Sequence, residues 1–309
     1  MKRLFVTAGA CALAAAVVAG QQAPPADPLV RENATVKVSD HVYVIPDFNV
    51  GLVPNVGIIV GNTATLVVDT GLGPRNGQTV LREVAKVSKN ATMYVVSTHF
   101  HPEHALGEPA FPATAKIIRA RTQQQDIDEF GLATANQFMK RSALTAELLQ
   151  GVQFRKADVI FDNEYPLDLG GVQVRLIAVG PTHTRGDTVI WVDPDHILFA
   201  GDTVMNHRFL AFASPYASVK TWLADFDRFE TLKPVRIVPS HGAMGDATLI
   251  GQQREILRTI QTRASALKRE GKTADETAQI VAMEMGTKYP DFTGPQQAGN
   301  AARAAYAEP

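Results

Sequence analysis

The chain has 309 residues, 45% hydrophobic and 20% charged, enough for one large domain or two small ones around a sizeable core. Thirty Lys and Arg against 31 Asp and Glu leave a formal net charge of −1, which removes the electrostatic case for nucleic acid or an anionic membrane surface as a partner. A single cysteine excludes an intrachain disulfide and any Cys-rich zinc module.

Lys2 and Arg3 open the chain, an apolar run follows over 4–19, and Gly20–Gln21–Gln22–Ala23 precede Pro24 and Pro25. This is the layout of a secretory signal peptide, and the run is shorter than the ~20 residues a bilayer span needs. The expectation is a signal peptide over 1–23 and a flexible, Pro- and Ala-rich lead-in over 24–34. The mature protein is then periplasmic or secreted, with no stable membrane insertion after cleavage. Cys11 would leave with the leader, so any metal must be held by His and carboxylates.

From residue 35 the sequence reads as one domain, with a helical segment from about 247. Short β-branched runs at 36–38, 42–45, 56–60 and 65–68 are separated by turn signals such as Gly61–Asn62 and Gly71–Leu72–Gly73. A helix is predicted over 76–88, strands over 93–97 and 116–119, and helices over 122–149 with a break at Gly131. A second set of strands follows at 159–161, 165–169, 172–179, 188–192 and 197–200. The spacing then predicts a helix over 218–232, a strand over 235–238, and helices to the end. In that last stretch Thr273 and Glu276 form a capping box. The repeated order of strands, helix, strand and helices implies two similar halves, with two sheets face to face and helices outside.

Three of the eight histidines fall at 99, 101 and 104. The strand over 93–97 runs into Thr98–His99–Phe100–His101, and alternate side chains on an extended segment share a face, so His99 and His101 can reach one ion. Pro102 starts a turn, and Glu103 and His104 follow where they can serve a neighbouring ion. Three further strands run into loops carrying His183, Asp202 and His241, so rigid strands present several ligand-type residues at one sheet edge. His207 and Arg208 follow Asp202 as either substrate contacts or a solvated loop, and Phe209, Phe212 and Tyr216 as either a pocket mouth or core packing. His41, His196, Arg185 and Asp187 read as structural.

The turn Val-Val-Asp69-Thr-Gly, the run T-H-F-H-P-E-H at 98–104, G-P-T-H183-T-R-G-D, F-A-G-D202-T and P-S-H241-G resemble, in order and spacing, the metallo-β-lactamase-fold hydrolase superfamily. The resemblance implies an α/β fold, a four-layer αββα sandwich with a helical C-terminal extension. It also implies two divalent metal ions, zinc first among them. His99, His101 and His183 would hold one, His104, His241 and Glu103 the other, and Asp202 would bridge. Asp69 matches an acid that organises the site by hydrogen bonding.

Such a pair of ions acidifies water for hydrolysis, which implies cleavage of an ester, thioester, lactone or β-lactam bond in a small molecule, with Glu103 and Asp202 as catalytic carboxylates. The chain departs from the usual H-x-H-x-D-H at Glu103, whose extra methylene shifts the carboxylate. Asp202 stands where dedicated β-lactamases mostly have Cys or Ser. Two other readings follow from the same residues: a mononuclear iron oxidoreductase resembling persulfide dioxygenases, and a non-catalytic metal-binding envelope protein. The oligomeric state is not legible.

Overall fold

The computed structural model describes residues 26–308; the expected signal peptide lies outside them. Twelve strands form two sheets among the described residues. The first takes its strands in chain order: β1 (Val36–Lys37), β2 (Val42–Ile45), β3 (Val56–Val60), β4 (Ala64–Val68), β5 (Thr92–Val96), β6 (Lys116–Ala120) and β7 (Val159–Phe161). The second runs β12 (Arg236–Pro239), β11 (Ile197–Gly201), β10 (Asp187–Val192), β9 (Gln173–Val179) and β8 (Glu164–Asp168).

Alternation along the strands sorts the side chains into layers. On β4, Leu66 and Val68 join a core between the sheets, while Val67 faces the opposite way toward α1 (Gly73–Val87) with its Val80 and Val84. On β10, Ile190 and Val192 enter that central core. Val189 and Trp191 point outward against α6 (Val219–Leu232), α7 (Thr248–Arg269), α8 (Ala274–Lys288) and α9 (Pro295–Ala307). The product is the expected αββα sandwich with a helical C-terminal region.

Each sheet passes from antiparallel hairpins to a parallel pair joined by a helix: β4–α1–β5 in the first, β11–α6–β12 in the second. A crossover of this length is what parallel pairing requires. Ligand-type residues sit just past these strands, Asp69 after β4, His99 to His104 after β5, Asp202 after β11 and His241 after β12. Two of the expected half-elements therefore repeat one plan.

Two expectations need correction. Gly131 does not break the helical stretch: a wide π turn over 127–131 joins α3 (Arg121–Asp126) to α4 (Leu132–Met139). The break comes at 140–142, where the Ser142 side chain caps α5 (Ala143–Leu149) by accepting from the Thr145 N–H. The lead-in, for its part, is tied down over residues 30–35. The Val30 and Asn33 N–H groups donate to Asn76 and Glu83 of α1, and the Thr35 hydroxyl donates to Glu83. Buried carboxylate and amide acceptors on a helix give that polar segment bonds it would otherwise find only in water.

Candidate metal centre

The strand-end loops converge on one cluster. Pro102 starts the short helix α2 (Pro102–Ala105) immediately after His101, so the chain turns and brings Glu103 and His104 back beside the strand end. His99 Nε2 lies 3.0 Å from His101 Nδ1, and His183 Nε2 lies 3.1 Å from that same atom. Asp202 reaches in from the other sheet, with Oδ2 3.4 Å from His183 Nε2 and Oδ1 3.9 Å from His241 Nε2. Three groups place one donor atom each within 4.8 Å of one another: His99–His101–His183, His99–His104–Asp202 and Glu103–His104–His241. All seven side chains named from the sequence are in this cluster.

The outward-facing atoms are spoken for. The His183 Nδ1 is 2.6 Å from the Ala211 carbonyl, and the His241 Nδ1 is 3.0 Å from the Val53 carbonyl. The His104 Nδ1 is 2.9 Å from Asp69 Oδ2. A carbonyl can only accept, so each of the first two rings donates an Nδ1 proton outward and turns its Nε2 inward. Asp69 also accepts from the Thr98 N–H at 2.7 Å and from the Thr98 and Ser240 hydroxyls. Its lone pairs are thereby used, which makes it an organiser.

The inward-facing atoms are left over. Glu103 Oε2, His104 Nε2 and Asp202 Oδ1 are buried with no hydrogen-bond partner. Orphaned polar atoms of this kind are costly unless something else satisfies them, and nitrogen and carboxylate donors together are a divalent-ion set.

Charge follows the same division. Burial, then the neighbouring imidazoles, hold His99 and His101 well below the usual histidine range, so they stay neutral and each keeps a nitrogen lone pair free. Burial also works against charging His104, yet Asp69 overcomes it and pushes the ring up to about 9. For Asp202 burial favours the neutral acid, but His241, His183, His104 and His101 outweigh it and hold the carboxyl at about 2. Metal binding at His104 must therefore expel a proton.

His101, Glu103, His183 and Asp202 of the cluster line a cleft of about 460 Å³, together with Phe100, Phe130, Phe138 and Arg141. The Arg141 guanidinium lies 3.7 Å from the Phe138 ring centroid. Glu103, Asp202 and Ala211 also line a second cleft of about 300 Å³, together with His241, Arg208, Phe209 and Thr293.

Phe130, Phe138 and Arg141 were not singled out from the sequence, although the eight-residue spacing of the two phenylalanines places them on one helical face. Of the residues named after Asp202, Arg208 and Phe209 line the second cleft. His207 packs near Phe292, Phe212 packs on Trp222, and Tyr216 sits beside Phe130 and Arg185. Arg185 pairs with Asp126 and Glu129, and Asp187 accepts from Thr182 and Thr184, both structural as expected.

The sequence profile of the metallo-beta-lactamase superfamily matches residues 50–241, and the chain belongs to that superfamily of hydrolases. A linear primary-alkylsulfatase from Pseudomonas sp. (strain ATCC 19151) is 21% identical, covering 70% of this chain and 47% of that protein. A stereoselective inverting sec-alkylsulfatase from Pseudomonas sp. superposes with a TM-score of 0.68 at 16% identity, over 88% of this chain and 49% of that one. A metallo-beta-lactamase from Pontibacter korlensis superposes with a TM-score of 0.56 at 21% identity, over 72% of this chain and 98% of that one. This chain thus spans about half the length of the alkylsulfatases it matches. The fold and the His-rich cluster together imply metal ions.

Proposed function

We propose that this protein hydrolyses an ester-type bond in an organic anion with an apolar body, alkyl sulfates first among them, with two zinc ions at the cluster. His99, His101 and His183 would hold one ion, Glu103, His104 and His241 the other, and Asp202 would be shared. Divalent ions held there would supply a coordinated water acidified toward a pKa of about 7 and would polarise the bond to be cut.

The chain's own groups have separate tasks. The carboxyl groups of Glu103 and Asp202 would orient the attacking water and take up its proton. Asp69 keeps His104 turned inward, as the carbonyls of Ala211 and Val53 do for His183 and His241. Phe100, Phe130 and Phe138 take the apolar body and exclude water, and Arg141 offers the anion a positive charge stiffened by its stack on Phe138. The single observation that carries this reading is the set of partnerless atoms, Glu103 Oε2, His104 Nε2 and Asp202 Oδ1, in a cluster whose Glu103 and Asp202 line an aromatic cleft. The alkylsulfatase relatives support the sulfate ester over a lactone, thioester or β-lactam.

The test is elemental analysis of the purified protein alongside turnover of a primary alkyl sulfate, a secondary alkyl sulfate, a homoserine lactone, an aryl ester, a thioester and nitrocefin. The expected result is stoichiometric zinc, fastest turnover of an alkyl sulfate, and loss of activity on chelation. Metal-free protein, or activity that survives chelation, overturns the reading. Iron with oxygen uptake on a thiol substrate would replace it with an oxidoreductase. We also propose export with cleavage, on the basic start and apolar run of residues 2–19; recovery of the protein from the cytoplasm alone, with an intact mass that still includes those residues, would refute it.

A further inference from the structure

The helices α7 to α9 lie beyond residues 50–241, the span shared with the superfamily, yet they hold a piece of the metal centre in place. The loop after Asp202 has no strand of its own, so its backbone groups must find partners elsewhere. They find them in the C-terminal extension. Gln253 of α7 is fully buried, and its side-chain amide donates to the carbonyls of Met205 at 2.9 Å and Arg208 at 3.0 Å. Thr293, between α8 and α9, donates its N–H to the His207 carbonyl and accepts from the Phe209 N–H, at 3.0 and 3.2 Å. Two residues further on, the Ala211 carbonyl accepts from His183 Nδ1.

We infer that the C-terminal extension is a positioning element of the metal centre, with Gln253 as its positioning residue. Gln253 and Thr293 fix the loop over 205–209, the loop fixes the Ala211 carbonyl, and that carbonyl sets the tautomer and aim of His183. The partner on the far nitrogen of an imidazole decides both properties. Here that partner is a backbone atom on an irregular loop, so it is only as well placed as the loop's anchors. The same loop begins at Asp202, so one anchor serves two candidate ligands. This inference rests on the metal-hydrolase reading above.

The test compares Gln253→Leu and Gln253→Met, which keep apolar bulk but lose both donors, with Ile260→Ala. Ile260 is buried on the same helix and belongs to the packing core. Zinc affinity is read by chelator competition, and cobalt(II) spectra report coordination geometry; neither needs turnover. The Gln253 variants are expected to bind the zinc at His183 10- to 100-fold less tightly, the scale of losing an outer partner of a ligand, with an altered cobalt spectrum. Ile260→Ala, at a comparable fall in Tm, is expected to keep the wild-type affinity and spectrum.

Wild-type affinity in the Gln253 variants, or equal weakening in Ile260→Ala, overturns the inference alone. A wild-type protein that binds neither zinc nor cobalt overturns the metal-hydrolase reading with it. Should the Gln253 variants not fold, hydrogen exchange on the wild type decides: the Phe209 and Thr293 amides are expected to be protected, and exchange at solvent rates refutes the anchoring.

Discussion

Asp69 and Asp202 occupy matching places, each just past the first strand of a parallel pair, and their environments diverge. Asp69 is saturated by the Thr98 backbone and hydroxyl, the Ser240 hydroxyl and the His104 ring. Asp202 Oδ1 has no hydrogen-bond partner and faces imidazoles instead. The two halves of the fold thus use one position for two jobs, and the count of donors decides which. An acid whose lone pairs are filled by the protein can only organise, whereas one left short of partners is available to an ion.

The most damaging substitution for activity is Asp202→Asn, expected to lower kcat/KM by about 10²- to 10³-fold, as for loss of a charge at a reacting centre. The fold should survive, as judged by an unchanged circular dichroism spectrum. Asp69→Ala should instead lower zinc affinity about 10- to 100-fold. It should also cost stability, about 1–3 kcal/mol for each donor stranded in the core, read from urea unfolding of the metal-free protein. Equal stability losses in the two variants would break the distinction drawn between the acids.

The crossover helices sharpen the same contrast. Burial opposes the charge of Glu83 on α1, but Lys86, Thr35 and the Asn33 N–H outweigh it and bring the carboxyl down to about 2. Its stabilisation is therefore present above about pH 4.5 and is lost as pH falls toward 2. Glu83→Gln should destabilise at pH 7 and much less at pH 2, which unfolding at the two pH values will show. On α6, burial pushes Asp225 upward, against the Gly180 N–H and Arg228, so its charge opposes folding as pH rises. Asp225→Asn is accordingly expected to cost less than Glu83→Gln at pH 7. The smallest effect is Thr273→Ala, which removes the α8 cap and should cost about 1 kcal/mol with metal content unchanged.

The strands and the site could be read early because their signals are local. β2, β3 and β7 fall where β-branched residues cluster between turn residues, and Thr273–Glu276 closes the capping box that its spacing implies. His99, His101, Glu103 and His104 share six consecutive positions, and His183, Asp202 and His241 each follow a strand. What stayed hidden depends on distant partners. Gly131 lies where a side chain would meet the Phe154 ring at 2.9 Å, so it serves close packing inside a continuing helical turn. Ser142 caps α5 with Thr145 as its reciprocal partner, outside the usual Glu or Gln pattern. The bonds from residues 30–35 to α1, the aromatic wall at Phe130 and Phe138, and the grip of Gln253 on the loop after Asp202 arise only once remote segments meet.

Gly57 shows how far from the cluster its tolerances are set. A methyl group there would sit 2.4 Å from the Phe199 ring. Gly57 is paired across β3 and β4 with Val68, the residue before Asp69, while Phe199 lies three positions before Asp202. Any bulk at this contact requires the Phe199 ring to give way, between the strand beside the organising acid and the strand that ends at its counterpart. Alanine at 57 would therefore press on β11 three positions before Asp202 without touching one member of the cage.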